Sequence, residues 1–141
     1  MQFSPAHVNL VRSSFAQLEP IAAQAAALFY KNLFDAQPAL RTLFLSPIGE
    51  QGMRLMQMLA AAVALLDQPE QLRPILHKLG ARHQGYGVQD WHYAAVGEAL
   101  LKTLAQGLGE SFGAQQRQAW SQVYAFISHT MQEPARLAHT C

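Results

Sequence analysis

Apolar residues return at every third or fourth position along almost the whole chain, and nowhere convincingly at every second one. That periodicity commits the backbone to helices and leaves strands without support. Leu55, Met58, Leu59, Ala62, Val63 and Leu66 follow it, as do Tyr93, Val96, Gly97, Leu100, Leu101, Leu104 and Leu108, and then Trp120, Val123, Tyr124, Ile127 and Met131. No Asn-Gly or Asp-Gly hairpin signal interrupts these runs. Pro5 after Ser4, Pro20, Pro38, Pro47 after Ser46, and Pro69 mark helix starts. A proline in a first turn gives up only an N–H that has no intrahelical partner there. The pattern predicts an all-α fold of about seven helices, at 5–19, 20–36, 38–44, 47–66, 69–84, 90–107 and 114–132. Residues 1–141 read as one domain without repeat, low-complexity run or linker, and the tail 134–141 is expected to fray.

Composition narrows what such a bundle can do. A chain of 141 residues buries roughly two thirds of its unfolded surface, and with 50% apolar and 13% charged residues it has the material for a packed core. The net charge of +1 comes from scattered Lys and Arg, which gives no electrostatic case for nucleic acid or an anionic membrane as partner. Met58 to Leu66, the longest apolar stretch, is too short to span a bilayer, and Met1 to Pro5 carries no basic leader. The expectation is a soluble, cytoplasmic protein. The sole cysteine, Cys141, rules out an internal disulfide and nearly excludes a cysteine-based zinc site.

Two polar residues stand on apolar stripes. Leu72, Ile75, Leu76 and Leu79 make an inward stripe whose next position is His83, and Gln51 stands four residues before Leu55 at the head of the stripe ending at Leu66. Two helices thus aim an imidazole and an amide at the interior, an arrangement suited to a flat cofactor whose iron the imidazole holds. Periodicity alone leaves the plainer alternatives open. A histidine at the end of an apolar stripe is more often a core or cap residue, and a glutamine in a first turn commonly caps or faces water. Met53, Met56 and Met58 read as ordinary helix packing. No HExxH, CxxC, P-loop or GxSxG pattern occurs, the acids are too dispersed for a paired-carboxylate site, and His77 and His83, six apart, sit on different faces.

Longer motifs carry a resemblance. Phe29-Tyr30-Lys31-Asn32-Leu33-Phe34 with Pro38 and Leu43-Phe44 is similar to the second and third helices of bacterial globins and flavohaemoglobin globin domains. Leu79-Gly80-Ala81-Arg82-His83, Tyr86-Gly87-Val88, His92-Tyr93, Val96-Gly97-Glu98 and Leu100-Leu101 resemble the proximal half of that family and of neuroglobin. Ala119-Trp120-Ser121-Gln122-Val123-Tyr124 resembles the start of the last helix. The likeness covers about residues 5 to 132.

The resemblance implies haem b, with His83 as proximal iron ligand and Phe44 wedged against the porphyrin. It implies Tyr30 as distal hydrogen-bond donor to oxygen, Gln51 above the iron, Leu55 lining the distal pocket, and Val88, Tyr93 and Val96 the proximal side. In flavohaemoglobins a last-helix glutamate contacts the proximal histidine together with the tyrosine matching Tyr93. Counted from Trp120, its place falls on Ala135, with Glu133 two residues earlier, so the resemblance leaves open what serves that role. The implied function is reversible O2 binding at Fe(II), supporting nitric oxide dioxygenation with an external reductase. Oxygen storage or delivery without turnover and haem-based sensing through a partner are the alternatives within the family. A helical interaction domain without haem is the alternative outside it.

Overall fold

The computed structural model describes residues 3–43, 48–85 and 89–140, with the side chains of 48, 84, 85 and 134–140 left outside that description. Six α-helices follow in order: α1 (Pro5–Leu18), α2 (Ala22–Ala36), α3 (Ile48–Ala64), α4 (Pro69–Gly85), α5 (Asp90–Leu108) and α6 (Ala114–Thr140). Among the described residues there is no strand. The expected all-α architecture is met, with two differences at the level of elements. The short helix expected at 38–44 is a 3-10 segment, Pro38–Leu43, and α6 continues to Thr140, past its expected end at 132. Further 3-10 turns, Glu19–Ile21 and Gly109–Ser111, join α1 to α2 and extend α5. No helix among the described residues is long and apolar enough to cross a membrane.

The local reasons are visible at the helix ends. Ser4 caps α1 by accepting the His7 N–H at 3.2 Å, and Pro5 occupies the first turn. Pro69 opens α4, as expected, but Pro74 lies inside it, where it cannot donate to the carbonyl four residues earlier. The end of α3 is closed from a distance. Arg12 on α1 donates to the carbonyls of Val63 and Ala64, at 3.3 and 3.0 Å, and pairs with Asp67 at 3.1 Å. A guanidinium is well suited to collect terminal carbonyls at the negative end of a helix.

The apolar stripes close into one core. Leu59, Ala62, Val63 and Leu66 of the α3 stripe are buried, together with Leu100 and Leu104 of α5 and Trp120, Val123, Ile127 and Met131 of α6. The α4 stripe is narrower than the sequence suggests. Leu72 and Leu76 are buried and Leu79 half-buried, but Ile75 is 47% exposed, so it is not part of the inward stripe. Met56 and Met58 pack against the core, whereas Met53 is 57% exposed. Helix α2 lies against both α3 and α5, α1 crosses α6, and α4 is carried chiefly by α6. The consecutive helices α3 and α4 are not among the packed pairs. That separation positions the site.

Candidate functional site

His83 sits in the last turn of α4, half-buried. Its Nδ1 lies 2.8 Å from the Leu79 carbonyl, four residues back on the same helix. A carbonyl only accepts, so Nδ1 carries the proton and donates, which places the imidazole lone pair on Nε2. Burial lowers the His83 pKa and the bond to Leu79 raises it, with a net fall below 6.5. The neutral imidazole that results is the form that binds a metal.

The turn before His83 is fixed by Gly80. A Cβ there would stand 1.8 Å from the Met131 carbonyl oxygen on α6. Only glycine lets the two backbones cross at this distance, and the crossing sets where the end of α4 lies.

Tyr30 is 5% exposed on α2, between the ring of Phe29, edge-on at 5.0 Å, and that of Phe34, stacked at 5.8 Å. Burial pushes its phenol up to about 12, so it remains a protonated donor at neutral pH. Two residues later the buried Asn32 amide donates to Thr103 Oγ1 at 3.0 Å and Gln106 Oε1 at 2.9 Å, tying α2 to α5. Gln51, half-buried in the first turn of α3, precedes Gly52. A Cβ on Gly52 would lie 2.8 Å from the Ala26 Cβ and 3.9 Å from Tyr30 Cε2. The α2–α3 crossing therefore brings the start of α3, at Gly52, against the turn that carries Tyr30.

Leu55 on α3 and Tyr93 and Val96 on α5 are half-buried and pack against the core. The Tyr93 carbonyl accepts from the Tyr124 hydroxyl at 2.5 Å. Burial, with the Asp90 charge, raises the Tyr93 phenol, and burial with Tyr93 nearby raises that of Tyr124. Phe44 and Val88 lie outside the described residues. The expected site residues that are described thus divide between Tyr30, Gln51 and Leu55 on α2 and α3, the expected distal wall, and His83 on α4 with Tyr93 and Val96 on α5, the expected proximal wall.

The donor set suits a haem. Among the described residues no three His, Cys, Asp or Glu side chains gather to hold a metal ion. One imidazole with an oriented lone pair fits an iron that brings its other ligands in a macrocycle. Leu43, Leu55, Leu79, Tyr93 and Val96 keep part of their apolar surface uncovered, as the contact face for a flat apolar ring needs.

Glu133 does not touch His83. Its carboxylate takes Arg73 at 2.8 Å and His77 at 3.1 Å, both in the first half of α4. Burial raises this carboxyl, but the His77 hydrogen bond and the Arg73 charge and hydrogen bond outweigh it and hold it below the ordinary carboxylate value. Sequence spacing missed Asn32 and the Arg73–His77 pair as positioning groups, since their partners lie on other helices.

Comparison with known proteins places the fold in a family. The chain is 28% identical over 126 residues to the flavohemoprotein of Chromobacterium violaceum, covering 87% of itself and 31% of that protein. It therefore spans about a third of the length of that relative. It is 32% identical over 139 residues to the neuroglobin of Dissostichus mawsoni, covering 89% of itself and 87% of that protein. Among solved structures it resembles an engineered carbene transferase, a candidate nitric oxide dioxygenase from Rhodothermus marinus. The TM-score is 0.86 at 27% identity, over 99% of this chain and 97% of that one. The family model described as Globin matches residues 27–131, and the chain belongs to the globin family.

Proposed function

We propose that the chain holds haem b through His83, binds O2 reversibly at Fe(II) with Tyr30 and Gln51 as distal donors, and supports nitric oxide dioxygenation with an external reductase. Family membership implies the haem and its diatomic gas ligands. One observation carries the rest. A half-buried neutral imidazole, with its proton directed to Leu79, stands on a helix that does not pack against the helix bearing Gln51 and Leu55.

When bound, haem supplies a ferrous iron that takes a diatomic gas. The protein's own residues supply selectivity. His83 would hold the iron through Nε2, and Leu55, Tyr93 and Val96, with Phe44 and Val88 as the family likeness implies, would contact the ring. The Tyr30 phenol, kept protonated and sheltered by Phe29 and Phe34, donates to a ligand that gathers negative charge. In a dry site such a bond is stronger than in water. Overall, nitric oxide, dioxygen and an electron give nitrate, so turnover needs a reductase to return the electron. Support for this chemistry comes from relatives named as a flavohemoprotein and a candidate nitric oxide dioxygenase.

Absorption spectra of the purified protein, oxidised and reduced, test the haem. His83→Ala is expected to abolish stable haem incorporation or leave haem that added imidazole rescues. A native ferrous spectrum in that variant overturns the assignment of His83. Stopped-flow mixing of the oxygenated protein with nitric oxide is expected to yield nitrate and ferric protein rapidly, with turnover only when a reductase is added. A slow reaction removes the dioxygenase reading and leaves reversible oxygen binding.

A further inference from the structure

The first half of α4 is gripped by a single carboxylate. Glu133 Oε1 accepts from Arg73 Nη1 at 2.8 Å, and Oε2 lies 3.1 Å from His77 Nε2. Arg73 and His77 are four residues apart, so one side chain of α6 binds two successive turns of α4. The Arg73 guanidinium also sits 5.5 Å over the ring of Phe126, again on α6. One turn beyond His77 comes the Gly80 crossing at the Met131 carbonyl, and one turn beyond that comes His83. Helix α4 is thus registered on α6 at 73, 77 and 80, while α3, on the other side of the site, is not packed against it. Among the described residues the lie of α4, and with it of His83, is set chiefly by α6.

We propose that Glu133 is a positioning residue for the proximal histidine, acting through Arg73 and His77 on the placement of α4 and not by taking a proton from His83. The inference rests on the haem reading above. It differs from the direct glutamate relay that the flavohaemoglobin likeness implies, because both Glu133 oxygens are engaged on α4 at Arg73 and His77, ten and six residues before His83. A ligand held by one bond to a helix feels every shift of that helix, so releasing the clamp changes the tension and the spread of the iron–imidazole bond.

The test is the iron–histidine stretching band of the ferrous, ligand-free holoprotein by resonance Raman, together with the rate of haem transfer to excess apomyoglobin. Glu133→Gln keeps the shape and removes the charge. Its band is expected to shift or split, and haem transfer to accelerate about tenfold, the size of losing one partly screened charge-assisted hydrogen bond. His77→Gln keeps the Arg73 pair and is expected to shift the band less in the same direction. It also carries the test if Glu133→Gln does not fold. Glu133→Asp is expected to restore part of the native band. An unchanged band in these variants, with or without lower thermal stability, overturns the proposal by leaving Glu133 a purely structural role. Absence of an iron–histidine band in the unmodified protein overturns the haem reading instead, so the two failures are distinguishable.

Discussion

The wall that carries Tyr30 holds that side chain by burial between two rings, whereas the wall that carries His83 adds to its buried Leu72 and Leu76 a carboxylate clamp and one backbone crossing. On α2, Tyr30 is fixed between two rings, and Asn32 ties the same helix to Thr103 and Gln106 in the interior. On α4, the outer face is open enough that Ile75 is half exposed, and placement depends on Glu133, Gly80 and the Leu79 carbonyl. Burial is spread over many weak contacts and resists single changes. Placement by a few polar contacts and one close approach concentrates the dependence in named residues. The proximal wall is therefore the more fragile of the two, and the distal wall the more tolerant.

The comparison breaks most visibly at Gly80. Adding one methyl group there places a carbon 1.8 Å from a backbone oxygen, which no rotamer change relieves. Overpacking costs about 1–3 kcal/mol, and a clash with backbone falls at the top of that range. Gly80→Ala is expected to lower the denaturant midpoint accordingly and to weaken haem retention. Gly49→Ala has nothing within 4 Å of the new carbon and is expected to be neutral or slightly stabilising, since alanine is the better helix former. Equal midpoints for the two variants would contradict the account of the α4–α6 crossing.

On the distal wall the expected effect is on ligand dissociation. Tyr30→Phe keeps both ring contacts and removes only the hydroxyl. A hydrogen bond to a charged acceptor contributes about 1.5–3 kcal/mol, and about 1.4 kcal/mol is a factor of ten. Oxygen dissociation is expected to accelerate roughly ten- to a hundredfold, with a much smaller change for carbon monoxide, whose bound form carries less charge. Rapid-mixing measurement of both off-rates checks this. Equal acceleration of the two gases would mean that the hydroxyl shapes the pocket and does not donate.

The fold was legible because each helix owns a face, and a face is a property of local spacing. Every residue of the stripes read on α3, α5 and α6 is buried or half-buried, and Ser4 with Pro5 announced the first helix. Ile75 and Met53 defeated the same reasoning. Spacing says which residues can share a face, but how wide a stripe is covered depends on the neighbouring helix, and among the described residues α4 packs chiefly against α6. The 3-10 segment at Pro38–Leu43 was read as an α-helix because a proline start and one apolar turn look alike in both. At the site, the His83–Leu79 bond follows from a four-residue spacing and lay open to sequence reasoning. The links from Glu133 to Arg73 and His77, 60 and 56 residues apart, and from Asn32 to Thr103, 71 apart, depend on which helices meet. Helix pairing is decided by the close crossings at Gly52 and Gly80, which no periodicity shows.

Gln51 offers the finest test of how the walls differ, because it stands at the first turn of α3 where burial is incomplete. On the proposed reading its amide would serve the ligand from a less enclosed position than the Tyr30 phenol, so its hydrogen bond would be more screened and its removal would cost less. Gln51→Leu is expected to speed oxygen dissociation by roughly two- to tenfold, the range of a neutral hydrogen bond of about 0.5–1.5 kcal/mol. Both donors serve one ligand, so the variant lacking both is expected to fall short of the product of the single effects. A full product would mean that the phenol and the amide act on different species or at different steps. Slower dissociation in Gln51→Leu would show instead that the amide competes with Tyr30 for the ligand, and that a drier, more apolar start to α3 strengthens the remaining bond.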